Sequence, residues 1–187
     1  MNKRTIKIID YQKSWPQEFC TIAAELRELL PNAVSIDHIG STSVPELAAK
    51  DIIDIQVTVS RLEPQILEVL EADGYQVRKE EVYDLLTGIE EQSSEMCKYF
   101  TREKKGCRRA NIHIRKKGAL NQQYALLFRD YLRSCQTTRQ AYLEVKKRLA
   151  AIYPHDIEGY LSIKDPVMDI IFAAAKSWAK YCGWNNG

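Results

Sequence analysis

The strongest indication of the fold comes from two segments, IDHIGSTSVP over residues 36–45 and IIDIQV over residues 52–57. The first predicts a strand that ends in a Gly-Ser turn, and the second predicts a strand that carries a carboxylate, Asp54. Between them the pattern predicts a short helix over residues 44–49, with Ser43 as its N-cap. This layout puts free backbone N–H groups close to an acidic side chain.

Two predicted strands alternate apolar and polar side chains. Over residues 52–59 the apolar face holds Ile53, Ile55, Val57 and Val59, and the polar face holds Asp54, Gln56 and Thr58. Over residues 108–115 Ala110, Ile112 and Ile114 alternate with Asn111, His113 and Arg115. Because successive side chains point to opposite faces and the apolar set must face the core, the polar set is predicted to face solvent or a cleft.

The remaining periodicity predicts an α/β body over residues 1–118 and a helical C-terminal part over residues 119–187, packed together as one unit. Further strands are predicted over residues 7–11, 34–39, 75–78 and 96–102, and residues 80–95 fit either a strand or a loop. Helices are predicted from Ser14 to Pro31 and over residues 64–72, 120–132, 139–152 and 156–181. The last is expected to break or restart at Asp165-Pro166, with Ile170, Ile171, Ala174 and Trp178 inward.

The composition is that of an ordinary globular protein. Of 187 residues, 45% are hydrophobic and 28% are charged, with a formal net charge of +2. This charge does not indicate nucleic-acid binding, and no apolar stretch approaches the roughly 20 residues that span a bilayer. Five scattered cysteines without a Cys-x-x-Cys pair predict a reduced, cytoplasmic protein without structural zinc. The oligomeric state stays open.

Charge is uneven along the chain. Residues 80–95 contain six acids and no Lys or Arg, whereas residues 102–117 contain eight basic residues and one acid. Such runs are typical of solvated faces, and the alternatives are a basic edge near a phosphate site or a surface that binds a protein partner.

The Gly-Ser turn is a candidate phosphate site. A strand, a turn and a helix start bring N–H groups to one point, and Ser41, Thr42 and Ser43 add hydroxyl donors. Gly40 has no companion glycines, so neither a Walker loop nor a Rossmann fingerprint is present, and an ordinary cap is the alternative. Metal-assisted phosphoryl or nucleotidyl transfer needs carboxylates for Mg²⁺, which Asp54 could supply. The alternative for Asp54 is an ion pair with Lys50, Arg109 or Arg115.

The chain resembles the GrpB family over nearly its whole length. The resemblance is carried by residues 37–45, 47–50, 52–57, 111–114 and 128–133. Further positions that fit the C-terminal pattern of the family are Tyr142, Lys146, Leu149, Tyr160 and Lys164. The resemblance implies a nucleotidyltransferase-like fold of the DNA polymerase beta superfamily, with a mixed sheet flanked by helices, hence the α/β (α+β) class. Members of the family also occur fused to dephospho-CoA kinase.

By position, the resemblance assigns Gly40 and Ser41 to the turn that holds a triphosphate and Asp54 to the first carboxylate of an Asp-x-Asp metal pair. Gln56 occupies the second position and offers Mg²⁺ only one neutral oxygen. The strand expected to carry a third carboxylate offers Asn111 and His113, where GrpB relatives often show His-x-His. His38 is expected to be a satisfied core histidine.

Three functional hypotheses follow: a metal-dependent nucleotidyltransferase, a non-catalytic nucleotide- or phosphate-binding domain, and a protein-interaction module. Whether the protein is an enzyme stays open. In the first hypothesis Asp54 and His113 are catalytic, and Asp54 with Gln56 binds Mg²⁺. The expected partner is a nucleotide or another phosphorylated small molecule, without membrane or nucleic acid. The predicted binding residues are Gly40, Ser41, Thr42, Ser43, Lys50, Gln56, Arg109, Asn111 and Lys164.

Overall fold

Five strands form one mixed sheet in the computed structural model, which describes residues 5–185. The strands are β1 (Ser35–Ile39), β2 (Ile53–Val59), β3 (Tyr75–Val77), β4 (Lys98–Lys104) and β5 (Ala110–Lys116), in the order β1-β2-β5-β4-β3. The central pair, β2 and β5, is parallel, and the other neighbours are antiparallel. The helices are α1 (Trp15–Leu29), α2 (Gln65–Ala72), α3 (Leu120–Ser134), α4 (Gln136–Ile152) and α5 (Ile157–Cys182). The predicted mixed sheet flanked by helices is confirmed.

One face of the sheet makes the main hydrophobic core. The apolar residues of β2 and β5 that alternate in the sequence are buried on this face, with Trp15 and Leu26 of α1 and Leu70 of α2. Trp15 also donates its indole N–H to Asp51, 2.9 Å away, so its polar group is satisfied at the edge of the core. The period of two in β2 therefore fixes which face carries the core.

The opposite, polar face of the sheet is covered by the C-terminal helices. Helix α3 packs against β1, β2 and β5, and α4 and α5 pack against α3. A second apolar cluster joins these helices to the segment after β1, and its buried members are Val44, Leu47, Phe128, Leu132, Tyr142 and Ile171. All five strands precede residue 117, and α3 to α5 follow it. The division of the chain at residue 118 stays a prediction of domain organisation.

The segment that joins β1 to β2 differs from the prediction. A single 3-10 turn spans Ser41–Ser43, and no helix forms over residues 44–49. Instead, Ala49 forms an isolated bridge with Ile9, which is all that forms of the predicted strand over residues 7–11. Pro45 lacks an N–H and Glu46 adopts a φ of 64°, so tertiary burial of the flanking Val44 and Leu47 outweighs local helix preference.

Helix α5 is continuous, which corrects the predicted break at Asp165-Pro166. Pro166 removes one backbone donor and leaves the carbonyl of residue 162 to solvent, because Ser162 is exposed. Buried anchors on both sides of the proline hold the helix together: Tyr160 before it, and Ile171, Phe172 and Ala175 after it. The predicted inward face is right at Ile171, which is buried, and wrong at Ile170, which is 71% exposed, and at Ala174, which is exposed.

The acidic segment over residues 80–95 is mostly loop, with one 3-10 turn at Ser94–Met96 and a bridge between Tyr83 and Cys97. Within residues 5–185, no helix is both long enough and apolar enough to cross a membrane.

Candidate functional site

The turn after β1 lies directly against Asp54 of β2. Gly40 has a φ of 69°, a conformation that favours glycine. A Cβ built on Gly40 would lie 2.4 Å from Oδ2 and 2.8 Å from Cβ of Asp54. Gly40 is therefore required twice, for the direction of the turn and for the close approach of the backbone to the carboxylate.

The three hydroxyl groups of the turn have different surroundings. Ser43 Oγ donates to the carbonyl of Gly40 at 2.6 Å, and Thr42 Oγ1 donates to the carbonyl of Ile52 at 3.3 Å. Both side chains are buried, so they stabilise the turn from inside. Ser41 is only half-buried, and its Oγ accepts a hydrogen bond from Nζ of Lys146 at 3.0 Å. Among the three, Ser41 is the residue that is partly exposed.

His38 supports the same turn, as the sequence predicts for a core histidine. It is 8% exposed, stacks on Phe19 with 4.8 Å between ring centroids, and pairs through Nε2 with Thr42 Oγ1 at 3.0 Å. Burial, together with Arg133 and Arg129, lowers the pKa of His38 to about 4. His38 is thus neutral near pH 7.

Asp54 is bound by an amide rather than by a cation. Its Oδ1 accepts a hydrogen bond from Asn111 Nδ2 at 2.8 Å, across the parallel pairing of β2 with β5. Burial raises the pKa of Asp54, while the hydrogen bond from Asn111 and the charges of Lys50 and Lys164 oppose that shift. No ion pair within 4 Å joins Asp54 to Lys50, Arg109 or Arg115 in the part of the chain that the structure describes.

Three lysines from separate parts of the chain surround this turn. Lys146 of α4 is 3% exposed and donates to Ser41 Oγ and, at 2.6 Å, to the carbonyl of Ala48. Lys50 precedes β2, and its Nζ lies 5.3 Å from the ring centroid of Tyr160. Lys164 of α5 is half-buried and pairs with Asp165 at 2.5 Å. We call Lys50, Lys146 and Lys164 the lysine cluster.

The ammonium groups of the lysine cluster repel one another. Burial, followed by the charges of Lys164 and Lys50, lowers the pKa of Lys146 to about 7, although Asp54 opposes the shift. Burial also lowers the pKa of Lys50, where Asp54 again opposes and Lys164 adds to the shift. Buried like charges are costly unless opposite charge is near, and here the opposing charge comes from Asp54 and from Asp165, which pairs with Lys164. The arrangement is suited to an added anion.

A second polar network lies beside the Asp54–Asn111 pair. Gln56 is fully buried, accepts from Arg115 at 2.8 Å and donates to the carbonyl of Gln122 at 3.2 Å. Arg115 in turn pairs with Asp84 at 2.8 Å, and Lys98 pairs with the same carboxylate at 2.7 Å. Burial alone would raise the pKa of Asp84, but these two cations hold it well below its usual range.

His113 belongs to this second network. Its ring packs against Phe100 with 4.9 Å between centroids, and Arg115 lies 3.4 Å from its Nδ1. Burial, with the charges of Arg115 and Lys98, holds the pKa of His113 well below its ordinary value. The catalytic roles of Asp54 and His113 and the Mg²⁺ site at Asp54 and Gln56 stay predictions.

The structure therefore brings most predicted residues to one face of the sheet but divides them. Gly40, Ser41, Lys50, Asn111 and Lys164 surround Asp54, whereas Gln56 and His113 join the network around Arg115, and Thr42 and Ser43 brace the turn. Arg109 is exposed and acts on the site through its charge near Lys50.

Sequence reasoning did not assign Lys146 to the site. The signal was present, because Tyr142, Lys146 and Leu149 share the buried face of α4. A lysine in phase with an apolar helical stripe is rarely buried unless it is paired or functional.

Two cations of the basic segment over residues 102–117 form ion pairs within the fold. Arg108 pairs with Glu18 and Asp51, and Lys104 pairs with Glu25 and Asp73. These contacts occupy two of the cations that the interaction hypothesis would place on a partner surface.

A cavity of about 450 Å³ lies between the 86–89 segment and α5, lined mainly by apolar side chains such as Leu86, Ile170 and Phe172. Asp54, His113, the residues of the turn after β1 and the lysine cluster do not line it.

The buried Lys146 predicts a specific pH dependence of stability. In the folded state its pKa is about 7, whereas the unfolded lysine keeps its proton to about pH 10. Between about pH 7 and pH 9 the unfolded state therefore binds more protons, and the free energy of unfolding rises with pH, by up to about 1.4 kcal/mol per pH unit. We expect urea unfolding of the wild type to show this rise relative to Lys146→Met. Parallel pH curves for the two proteins would contradict it.

Comparison with known proteins agrees with this fold. The family model described as GrpB protein matches residues 5–174. The chain belongs to the GrpB family. The crystal structure of the GrpB protein from Enterococcus faecalis has a TM-score of 0.74 and 31% identity, and the match covers 92% of this chain and 99% of that chain.

Two curated relatives of this GrpB-family chain are longer. YqkA of Bacillus subtilis is 35% identical over 188 residues, which cover 98% of this chain and 50% of YqkA. A dephospho-CoA kinase of Mycolicibacterium paratuberculosis is 31% identical over 196 residues, which cover 96% of this chain and 48% of the kinase. The chain thus spans about half the length of these two relatives.

Likeness to nucleotidyltransferases is confined to the fold. A structure of Cid1, a protein with RNA terminal uridylyl transferase activity, has a TM-score of 0.51 at 16% identity and covers 77% of this chain and 42% of Cid1. This degree of similarity places the GrpB chain in the same fold class and says nothing of its substrate.

Proposed function

We propose that this GrpB-family protein binds a phosphorylated small molecule at the Ser41 turn, with the phosphate groups facing the lysine cluster. A nucleotide or an inorganic diphosphate has the required chemistry. The observation that carries the proposal is that Lys146 donates to Ser41 Oγ at this turn while the charges of Lys50, Lys164 and Asp54 all act on Lys146. A phosphate group would neutralise charges that now repel one another.

The turn after β1 adds a hydroxyl donor to the positive charge of the lysine cluster. Ser41 places its hydroxyl beside the ammonium group of Lys146, and Gly40 lets the backbone of the turn lie directly against Asp54. The rings of Tyr142 and Tyr160 lie below Lys146 and Lys50, with Nζ to centroid distances of 4.9 and 5.3 Å. Aromatic faces partly compensate the burial of ammonium groups, so both lysines remain available to an anion.

The residues around Asp54 fit Mg²⁺ poorly. Magnesium bound between protein and phosphate takes oxygen ligands and usually more than one carboxylate. Around Asp54 lie an amide and cations, and the oxygen of Gln56 already accepts from Arg115. Within residues 5–185 no group of three His, Cys, Asp or Glu side chains could hold a metal ion. Mg²⁺ is therefore left out of the proposal, and its requirement stays a prediction of the nucleotidyltransferase hypothesis.

Isothermal titration calorimetry distinguishes metal-free phosphate binding, Mg²⁺-dependent nucleotidyl transfer and the protein-interaction module. ATP and inorganic diphosphate are titrated into the protein in EDTA and again with Mg²⁺. We expect binding in EDTA that is no tighter with Mg²⁺, since the metal would compete with the lysine cluster for phosphate oxygens. Binding that requires Mg²⁺ would favour nucleotidyl transfer, and no binding under either condition would favour the interaction module.

A charge-neutralising variant at Asp54 is expected to give opposite results for a metal-free phosphate site and for a nucleotidyltransferase that needs Asp54. Removing the charge of Asp54, which contacts the turn, should make the site more positive, so Asp54→Asn is expected to bind inorganic diphosphate about threefold to tenfold more tightly in EDTA. The exposed Asp10 provides the matched control, and Asp10→Asn should bind like the wild type. Weaker binding by Asp54→Asn would show that the carboxylate helps to hold the ligand and would contradict the proposal.

A further inference from the structure

Ser41 and Lys146 form a polar pair whose geometry is suited to proton transfer. Lys146 Nζ lies 3.0 Å from Ser41 Oγ and 2.6 Å from the carbonyl oxygen of Ala48. Tyr142, one helical turn before Lys146, also interacts with the side chain of Ser41. A nucleophile, a neighbouring base and a group that orients the base are the three parts of an activated hydroxyl.

We propose that Ser41 is a nucleophile that accepts the terminal phosphoryl group of a phosphoanhydride, with Lys146 as its general base. This inference rests on the proposed phosphate site and adds a reaction to it. The reaction uses only side chains of this chain and a phosphoanhydride such as a nucleoside triphosphate.

The hydrogen bonds of Lys146 suit both of its protonation states. As an ammonium it donates to Ser41 and to Ala48 at once. As a neutral amine it still donates to the carbonyl of Ala48, and its lone pair can accept the proton of Ser41. The backbone contact therefore fixes the nitrogen while its charge changes.

The surroundings of Lys146 make both the ammonium and the neutral amine accessible near pH 7. Burial lowers its pKa to about 7, and Lys164 of α5 and Lys50 lower it further, whereas Asp54 of β2 acts in the opposite direction. A base with a pKa near the working pH is the most effective in proton transfer. The side chains of Lys50 and Lys164 would face the charge on the phosphoryl oxygens.

The reaction is balanced in two steps. In the first, Ser41 Oγ bonds to the terminal phosphorus while the bond from that phosphorus to the bridging oxygen breaks, and the electron pair leaves with the bridging oxygen. The proton of Ser41 passes to Lys146 and then to the leaving group. In the second step, water attacks the phosphoserine, phosphate leaves, and a proton returns through Lys146 to Ser41 Oγ.

The test uses ATP labelled on its γ-phosphate, incubated with the whole chain in EDTA and quenched with acid over a time series. Phosphoserine is then located by mass spectrometry. We expect label on Ser41 in the wild type, no label in Ser41→Ala, and normal labelling in Ser60→Ala, whose side chain is exposed. The labelling rate should rise with pH through about 7 as Lys146 loses its proton.

Two further variants distinguish the role of Lys146 as a base from its role as a positive charge. Lys146→Arg keeps a cation but cannot act as a base, so it should bind ATP and lose labelling by at least about 100-fold. Lys147→Met, next along α4 and exposed, should label normally. Calorimetric titration of the same proteins with ATP distinguishes a failure to bind ATP from a failure to phosphorylate Ser41. Wild type that binds ATP without phosphorylating Ser41, or that labels another residue, overturns the inference alone, whereas absence of binding overturns the proposed function as well.

Discussion

Replacing Gly40 with alanine is expected to lower the free energy of unfolding by about 3 kcal/mol. About 1 kcal/mol comes from the positive φ of 69°, and the rest from overlap of the new Cβ with Asp54, which lies 2.4 to 2.9 Å away. Asp54 cannot retreat easily because Asn111 holds its Oδ1 from the next strand. Urea unfolding followed by circular dichroism measures the change.

Gly106 supplies the control for this substitution. It has a φ of 81°, but a Cβ there would meet nothing within 4 Å. Gly106→Ala should therefore show only the backbone cost of about 1 kcal/mol. Equal losses for Gly40→Ala and Gly106→Ala would mean that the contact between the turn and Asp54 is not as close as described.

Replacing Lys146 with methionine is expected to weaken binding of inorganic diphosphate by about 30-fold at pH 6.5. At that pH the wild-type lysine is largely charged, and loss of one close charge from a desolvated site costs about 2 kcal/mol of binding free energy. Methionine keeps the length of the side chain, so packing against Tyr142 is largely preserved. Calorimetric titration in EDTA at several salt concentrations measures the effect.

The neighbouring exposed residue gives the control. Lys147→Met changes the net charge by the same amount but lies outside the site. We expect its affinity to fall by less than about twofold, because exposed charges at a distance are screened by salt. Similar losses for the two variants would indicate general attraction by a basic surface rather than a built site.

Much of the sheet could be predicted from local pattern. The alternation in β2 and β5 gave the buried and polar faces because side-chain direction in a strand depends only on neighbouring residues. The same pattern placed Asp54 beside Asn111 once the two strands were paired in register. The Gly-Ser turn was predictable because a positive φ restricts the choice of residue.

Other features depend on contacts between distant residues. Lys146 and Ser41 are separated by 105 positions, and no local pattern connects them. The segment over residues 44–49 takes its shape from the bridge to Ile9 and from burial of Val44 and Leu47, which overrides helix propensity. Helix α5 continues through Pro166 because residues on both sides of the proline are buried. This burial arises only when the helices pack together, so a local sequence pattern does not indicate it.

A phosphate group is proposed to bind at the turn after β1, between Ser41 and the lysine cluster, without Mg²⁺. A crystal structure of the protein soaked with inorganic diphosphate and Mg²⁺ tests it most directly. We expect phosphate density within hydrogen-bond distance of Ser41 and of ammonium groups of the lysine cluster, with no cation at Asp54. A Mg²⁺ ion bridging Asp54 to the phosphate, or diphosphate bound elsewhere on the molecule, would contradict it.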